Sequence, residues 1–275
     1  MDYRELSPSP ALRSYVRCYW TLRATADLCA APQRVLPDGC VEMVINLGAQ
    51  FVRHAANGDV ELQPRRLLVG PTTRQMSIAP TGDVHLVGIR FAPGGALPFL
   101  AASPGELRDR APSLDDAALR LAPELSERLF AAFPGAEGTL LDTALLERLS
   151  RAPRHPDARV RACVGATFAS RGTMRVDAMV ALTGLGARQL ERRFREDVGF
   201  GPKTLCRLAR FQRVVQALQI TNVPSWARLA ARSGYADQAH MAREFREFAG
   251  TTLTAYSREL HPMSDVFHGA SVIDA

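Results

Sequence analysis

The feature that most constrains this chain is an internal repeat. Met179 to Leu205 and Leu229 to Tyr256 share one pattern: Gly184 precedes Gly234 by 50 positions, while Leu190 and Met241, Arg192 and Arg243, Phe194 and Phe245, and Gly199 and Gly250 are each 51 apart. One residue has been added in the second turn. Two helix–turn–helix patterns in the same register are a far stronger signal than one, because chance must then act twice.

In the first copy, Thr173 is expected to cap a short helix whose Val176, Met179 and Val180 fall on one face, and Gly184 supplies the left-handed residue that ends it. The next helix, Ala187 to about Val198, carries Leu190 and Phe194 on its inner side, with Arg188, Arg192 and Arg195 opposite and Glu191 at the edge. An apolar side that anchors the helix and an arginine side that faces out suit a major-groove reader. In the second copy, Pro224-Ser225 is the stop and cap, Trp226, Leu229 and Ala230 are core, and Gly234 is the end. Asp237 then caps a helix with Met241 and Phe245 inside and Ala239, Arg243 and Arg246 outside. Gln238 and Ala239 occupy its first turn, where Gln suits adenine and Ala the thymine methyl. Between the copies, Pro202 opens a helix running to about Ile220, with Leu208, Phe211, Val215 and Leu218 on its stripe and Lys203, Arg207, Arg210 and Arg213 largely off it. At ~1.5 Å per residue this is a rod of about 27 Å, able to hold two reading helices roughly one DNA turn apart.

The charge distribution agrees with that reading. The net charge of +6 resolves into −1 over residues 1–153, +9 over 154–260 and two further acids, Asp265 and Asp274, in the tail. A polyanionic partner for the second segment follows. Ala152-Pro153-Arg154-His155-Pro156 breaks the helical pattern where the charge changes. The five cysteines form no C-x-x-C pair and are read as reduced thiols, with neither a disulfide framework nor a metal site. No apolar run approaches the ~20 residues of a membrane span, and Met1 to Glu5 do not open a signal peptide, so a cytoplasmic protein is expected.

Upstream, Val16, Cys18, Trp20 and Leu22 alternate with Arg17, Tyr19, Thr21 and Arg23, the period of a half-buried strand. Val41 to Leu47, Leu67 to Val69, Gln75 to Ala79 and Val84 to Phe91 are further β-rich runs, implying an antiparallel barrel or sandwich. From Gly95 to Leu149 helical periodicity takes over, interrupted at Pro104, Pro112 and Pro134-Gly135.

The residues from about Asp157 to Leu260 resemble the AraC/XylS family of bacterial transcription regulators, most densely in Gly186-Ala187-Arg188-Gln189-Leu190-Glu191-Arg192-Arg193-Phe194 and in Gly234 to Phe245. The resemblance implies seven helices in two units joined by the long helix. By position it implies base reading by Arg188, Glu191 and Arg192 in the first unit and by Gln238, Ala239, Ala242 and Arg243 in the second. This chain departs from the family at Leu253, where a proline is common, and at Arg193, where an apolar residue is usual. The N-terminal half is similar to barrel-like domains with a Pro-Asp-Gly turn, here Pro37-Asp38-Gly39, and a Gly-Ile-Arg-Phe-x-Pro-Gly-Gly run from Gly88 to Gly95.

The expected fold is α+β. A β-barrel or cupin-like domain with trailing helices covers 1–150, an all-α double helix-turn-helix domain covers 155–260, and 261–275 form an irregular tail. Promoter DNA is the expected partner. A small-molecule effector, RNA polymerase and a second copy of the chain are the others considered, with no cofactor, metal or enzymatic activity. Arg195, Lys203, Arg207, Arg210 and Arg246 are the candidates for DNA phosphate, although a solvated helix face explains the central three nearly as well. Glu191 is equally suited to cytosine N4 and to orienting an arginine. His240 points inward as a core or capping residue. Tyr15, Trp20, Glu42 and Arg90 are candidates for an effector pocket, against the simpler reading of Trp20 as core. Two alternatives are a DNA-repair methyltransferase fused to the regulator, disfavoured because no Pro-Cys-His or paired cysteines occur, and an N-terminal domain that only dimerises.

Overall fold

In the computed structural model, which describes residues 1–28, 32–54, 58–114, 125–132, 135–220 and 225–258, nine strands precede most of the helices. The expected tail at 261–275, together with Pro134 and Pro224, lies outside the described residues. Strands β1 (Asp2–Leu6), β2 (Val16–Ala24), β9 (Val84–Phe91), β4 (Glu42–Asn46) and β7 (Arg66–Val69) form one antiparallel sheet in that order. Strands β3 (Gln33–Val35), β8 (Met76–Pro80), β5 (Phe51–His54) and β6 (Val60–Leu62) form the other. No strand pairing among the described residues joins the two, so the expected barrel is an open pair of cupin-like sheets.

The half-buried reading of β2 needs correction. Cys18, Trp20 and Leu22 face the second sheet, but Tyr19 and Thr21 on the opposite side are buried as well. Helices α1 (Leu125–Ala132) and α2 (Glu137–Ser150) cover that side, placing Leu129, Leu141 and Leu145 against Tyr19, Met43, Ile45 and Ile89. Asp142 on α2 fixes the packing by accepting from the Tyr19 hydroxyl at 2.6 Å and from the Ser9 amide at 3.0 Å. On the other face, Trp20 lies opposite Gly88, and a β-carbon there would come within 2.0 Å of the indole. Glycine in mid-strand thus makes room for the ring. Between Gly95 and Leu114 the expected helices are reduced to a short 3-10 turn, Leu97–Phe99, and irregular chain, because Pro98, Pro104 and Pro112 deny the backbone donors a longer helix needs.

Seven helices follow among the described residues: α3 (Ala158–Ala169), α4 (Val176–Thr183), α5 (Ala187–Asp197), α6 (Pro202–Ile220), α7 (Trp226–Arg232), α8 (Gln238–Ala249) and α9 (Leu253–Arg258). Asp157 caps α3 by accepting from the Arg159 amide, and the Arg159 guanidinium holds its carboxyl down at about 2. Thr173 does not cap α4. Its hydroxyl donates to the Ser170 carbonyl, and the helix starts from Arg175 without a side-chain cap. At Leu253, where the similar family commonly has a proline, α9 starts all the same, with the Thr252 hydroxyl accepting from the Ala255 amide at 3.1 Å.

The N-terminal sheets and the helical part are packed together. Leu36 belongs to the helical core, and the buried Gln212 side chain on α6 donates to the Pro37 carbonyl at 2.7 Å. Gly39 in the same turn has a φ of +83° and lies under Phe200, Leu205 and Leu208. The Gln75 amide donates to the Phe248 carbonyl at 3.0 Å.

Candidate nucleic-acid interface

The repeat read from the sequence is a repeat of backbone geometry. Gly184, Gly199, Gly234 and Gly250 all have positive φ, so both copies use glycine at matching bends where a β-carbon would be strained. The chain leaves α4 through Gly184, and α5 begins after Gly186 in extended conformation. Leu190 and Phe194 are fully buried on the inner side of α5. Arg188, Arg192, Arg193 and Arg195 are exposed on the rest of the helix.

The second copy matches it. Ser225 caps α7, with its hydroxyl accepting from the Arg228 amide, and the Asp237 carboxylate caps α8 by accepting from the His240 amide at 2.6 Å. Met241 and Phe245 are buried, while Gln238, Ala239, Ala242, Arg243 and Arg246 are exposed. Both sets of proposed base readers therefore stand on the solvent side of helices whose opposite sides are locked in the core. Glu191 is the exception. It is half-buried, accepts from Arg195 at 2.9 Å, and lies against Gly201, where a β-carbon would meet its carboxylate. In the free protein it orients an arginine.

Two of the phosphate candidates are placed elsewhere. Arg207 and Arg210 are turned inward between α6 and α8. Arg207 donates to Glu244 at 2.8 Å and also pairs with Glu247, and Arg210 lies 3.4 Å from Glu244. The Arg207 guanidinium lies over the Phe248 ring and that of Arg210 over Tyr235. Glu244 is almost fully buried, so this cluster is a brace inside the domain and not a face for DNA. The stripe on α6 showed that these arginines were off the apolar side, but not that acids some 37 residues further on would cover them. Lys203, Arg195 and Arg246 are exposed as expected. His240 is half-buried, edge-on to Tyr235 and 3.8 Å from Glu244, consistent with a packing role.

The effector candidates separate as well. A cavity of about 60 Å³ between the two sheets is lined by Trp20, Glu42, Asn46 and Gln63 among apolar residues that include Val44 and Phe51. Burial pushes the Glu42 carboxyl up, against the opposing pull of Arg90. Trp20 and Glu42 thus meet at one site, with the buried indole N–H lacking a partner. Arg90 does not line the cavity. It is buried behind Glu42 as the cation of a cluster with Asp38 and Glu5, each 3.8 Å away. Tyr15, just before β2, belongs to the other core, edge-on to Phe99 and on the side of Tyr19.

The described cysteines are poorly suited to nucleophilic chemistry. Cys18, Cys40, Cys163 and Cys206 are buried thiols, and burial pushes Cys18 up to about 12. No described helix is long and apolar enough to cross a membrane.

Residues 4–113 match a family described as a domain of unknown function, DUF6597, and residues 179–259 match a family described as a helix-turn-helix domain. No curated protein matches the chain. Among solved structures, ToxT from Vibrio cholerae aligns over 88% of this chain and 98% of its own, with 10% identity and a TM-score of 0.52. ToxT from strain SCE256 bound to an unsaturated fatty acid aligns over 88% of this chain and 94% of its own, with 11% identity and a TM-score of 0.46. The xylose-binding transcription activator xylR aligns over 40% of this chain and 29% of its own, with 20% identity and a TM-score of 0.33. With two left-handed-glycine turns, two anchored helices and this family match in one segment, the chain is a DNA-binding transcription regulator whose residues 179–259 form its helix-turn-helix domain.

Proposed function

We propose that the chain reads promoter DNA through α5 and α8, with Arg188 and Arg192 in the first unit and Gln238, Ala239, Ala242 and Arg243 in the second approaching base edges. Arg195, Lys203 and Arg246 hold the phosphates. The observation that carries this reading is the exposure of Arg192 and Arg243 at equivalent positions of the two copies, each opposite a buried aromatic residue, Phe194 or Phe245. Glu191 enters as a group that releases Arg195 when DNA arrives. In this reading the protein works in the cytoplasm as a binding protein and not as an enzyme; the described thiols, all buried, are poor nucleophiles.

The N-terminal part, residues 1–150, responds in this reading to a small molecule in the cavity between the sheets. Trp20 offers it an unpartnered N–H and Glu42 an acceptor, within walls that are apolar apart from Asn46 and Gln63. Genome-wide footprinting gives the target sites. On a site so found, Arg192→Ala should cost about 1–3 kcal/mol in binding while a scrambled duplex is bound nearly as before. Equal loss on both duplexes would show that Arg192 touches only the backbone.

A further inference from the structure

A feature that the DNA-binding reading leaves unexplained is a cleft of about 700 Å³ where the N-terminal part meets α3, far larger than the cavity between the sheets. Four arginines line it: Arg13 and Arg17 at the entry to β2, Arg161 on α3 and Arg171 just beyond it. Among the described residues none of the four is ion-paired. One nitrogen of Arg17, Nη2, is buried without a hydrogen-bond partner. Arg161 is steadied by the Tyr15 ring, 5.6 Å from its centroid, and Arg171 stands in the left-handed region with a φ of 60°. Glu5 also lines the cleft, but its carboxylate accepts from the Tyr3 hydroxyl at 2.6 Å and faces the buried Arg90 at 3.8 Å.

Cations gathered without ion-pair partners repel one another, and folding holds them together only at a cost that an anion would relieve. Guanidinium forks match phosphate oxygens two at a time, and a buried nitrogen with no partner is the group that gains most from one. The remaining wall is mostly apolar, with Val16, Pro93 and Phe168, and adds the hydroxyls of Ser7 and Ser14. We propose that this cleft binds a small phosphate-bearing molecule with at least two negative charges and an apolar body. Because two of the arginines come from the N-terminal part and two from α3 and its C-terminal end, the ligand bridges the sheets to the DNA-binding domain. It stabilises the packed arrangement over any arrangement in which they separate. This site is independent of the cavity between the sheets and of the readers on α5 and α8.

Isothermal titration calorimetry of the full chain at fixed ionic strength, with ADP and with pyrophosphate as probes, tests the proposal. Saturable one-to-one binding is expected for both, tighter for ADP because its base can lie on Phe168. Arg13→Ala and Arg161→Ala should each weaken ADP by about tenfold or more, and Arg161→Lys should recover only part, since the charge returns without the fork. Arg13 is exposed, so its replacement leaves folding intact and keeps the experiment informative if Arg161→Ala is unstable. Absence of saturable binding by both probes, or unchanged affinity in the Arg13→Ala protein, overturns the proposal. Displacement of ADP by duplexes of unrelated sequence also overturns it, since the arginines would then serve the DNA backbone.

Discussion

The two helix-turn-helix units share a plan but not a way of managing charge. On α5 the acids lie on the same helix as the arginines: Glu191 pairs with Arg195, and Glu196 lies 3.4 Å from Arg193 and 3.8 Å from Arg192. On α8 the acids Glu244 and Glu247 turn away toward α6 and take Arg207 and Arg210, leaving Arg243 and Arg246 without ion pairs among the described residues. The end groups differ in the same direction. Side chains of Ser225 and Asp237 cap α7 and α8, whereas α4 and α5 start from Arg175 and Gly186 with no side-chain cap. The second unit is fastened to the long helix and presents free arginines. The first shares the charges of Arg192, Arg193 and Arg195 with acids of its own helix, which under the proposed reading they would exchange for phosphates or bases.

The largest expected effect follows from the fastening. Glu244→Ala should destabilise the protein by about 3 kcal/mol in urea denaturation, because it leaves the largely buried Arg210 without its carboxylate and Arg207 with Glu247 alone. Glu191→Ala, which removes an exposed pair within one helix, should cost under about 1 kcal/mol. Similar losses from the two would break the contrast. Next in size, Arg243→Ala should reduce operator affinity by about 1–3 kcal/mol in fluorescence anisotropy titrations. Arg192→Ala should lose less than Arg243→Ala on the same duplex, since Glu196 competes for Arg192 in the free protein. A larger loss at Arg192 would reverse the ranking of the units. Removing the cap with Asp237→Ala should lower stability by about 1 kcal/mol by thermal denaturation. Smallest of all, Gly186→Asp should add a few tenths of a kcal/mol by giving α5 the cap it lacks, since no atom within 4 Å obstructs a β-carbon there. A destabilised Gly186→Asp protein would mean that α5 is limited by something other than its start.

The helical domain was legible because its determinants are local. Gly184 and Gly234 mark bends that only glycine makes easily, and the spacing of Leu190 to Phe194 and of Met241 to Phe245 fixes which side of each helix is core. The inward arginines of α6 were not legible, since an amphipathic stripe says which residues are apolar but not what distant segment covers the others. The same limit applies to β2, where Tyr19 looked exposed until helices from more than 100 residues away were laid on it. Trp20 and Glu42 both line the cavity because they stand on the same face of β2 and β4, the two strands that flank β9, whereas Arg90, opposite Glu42 on that face, is taken up by the carboxylates around it, and Tyr15 packs in the core on the other side with Tyr19.

The Pro37-Asp38-Gly39 turn gives this asymmetry a mechanical meaning. It touches α6, which belongs to both units, through the Gln212 contact and beneath Phe200, Leu205 and Leu208, so it grips the spar from which both reading heads hang. Asp38 in that turn faces Arg90, and Arg90 holds Glu42 at the wall of the inter-sheet cavity. A tug at Glu42 would therefore be felt at the crossbar and by both heads in concert, altering the stance of the whole pair on the duplex.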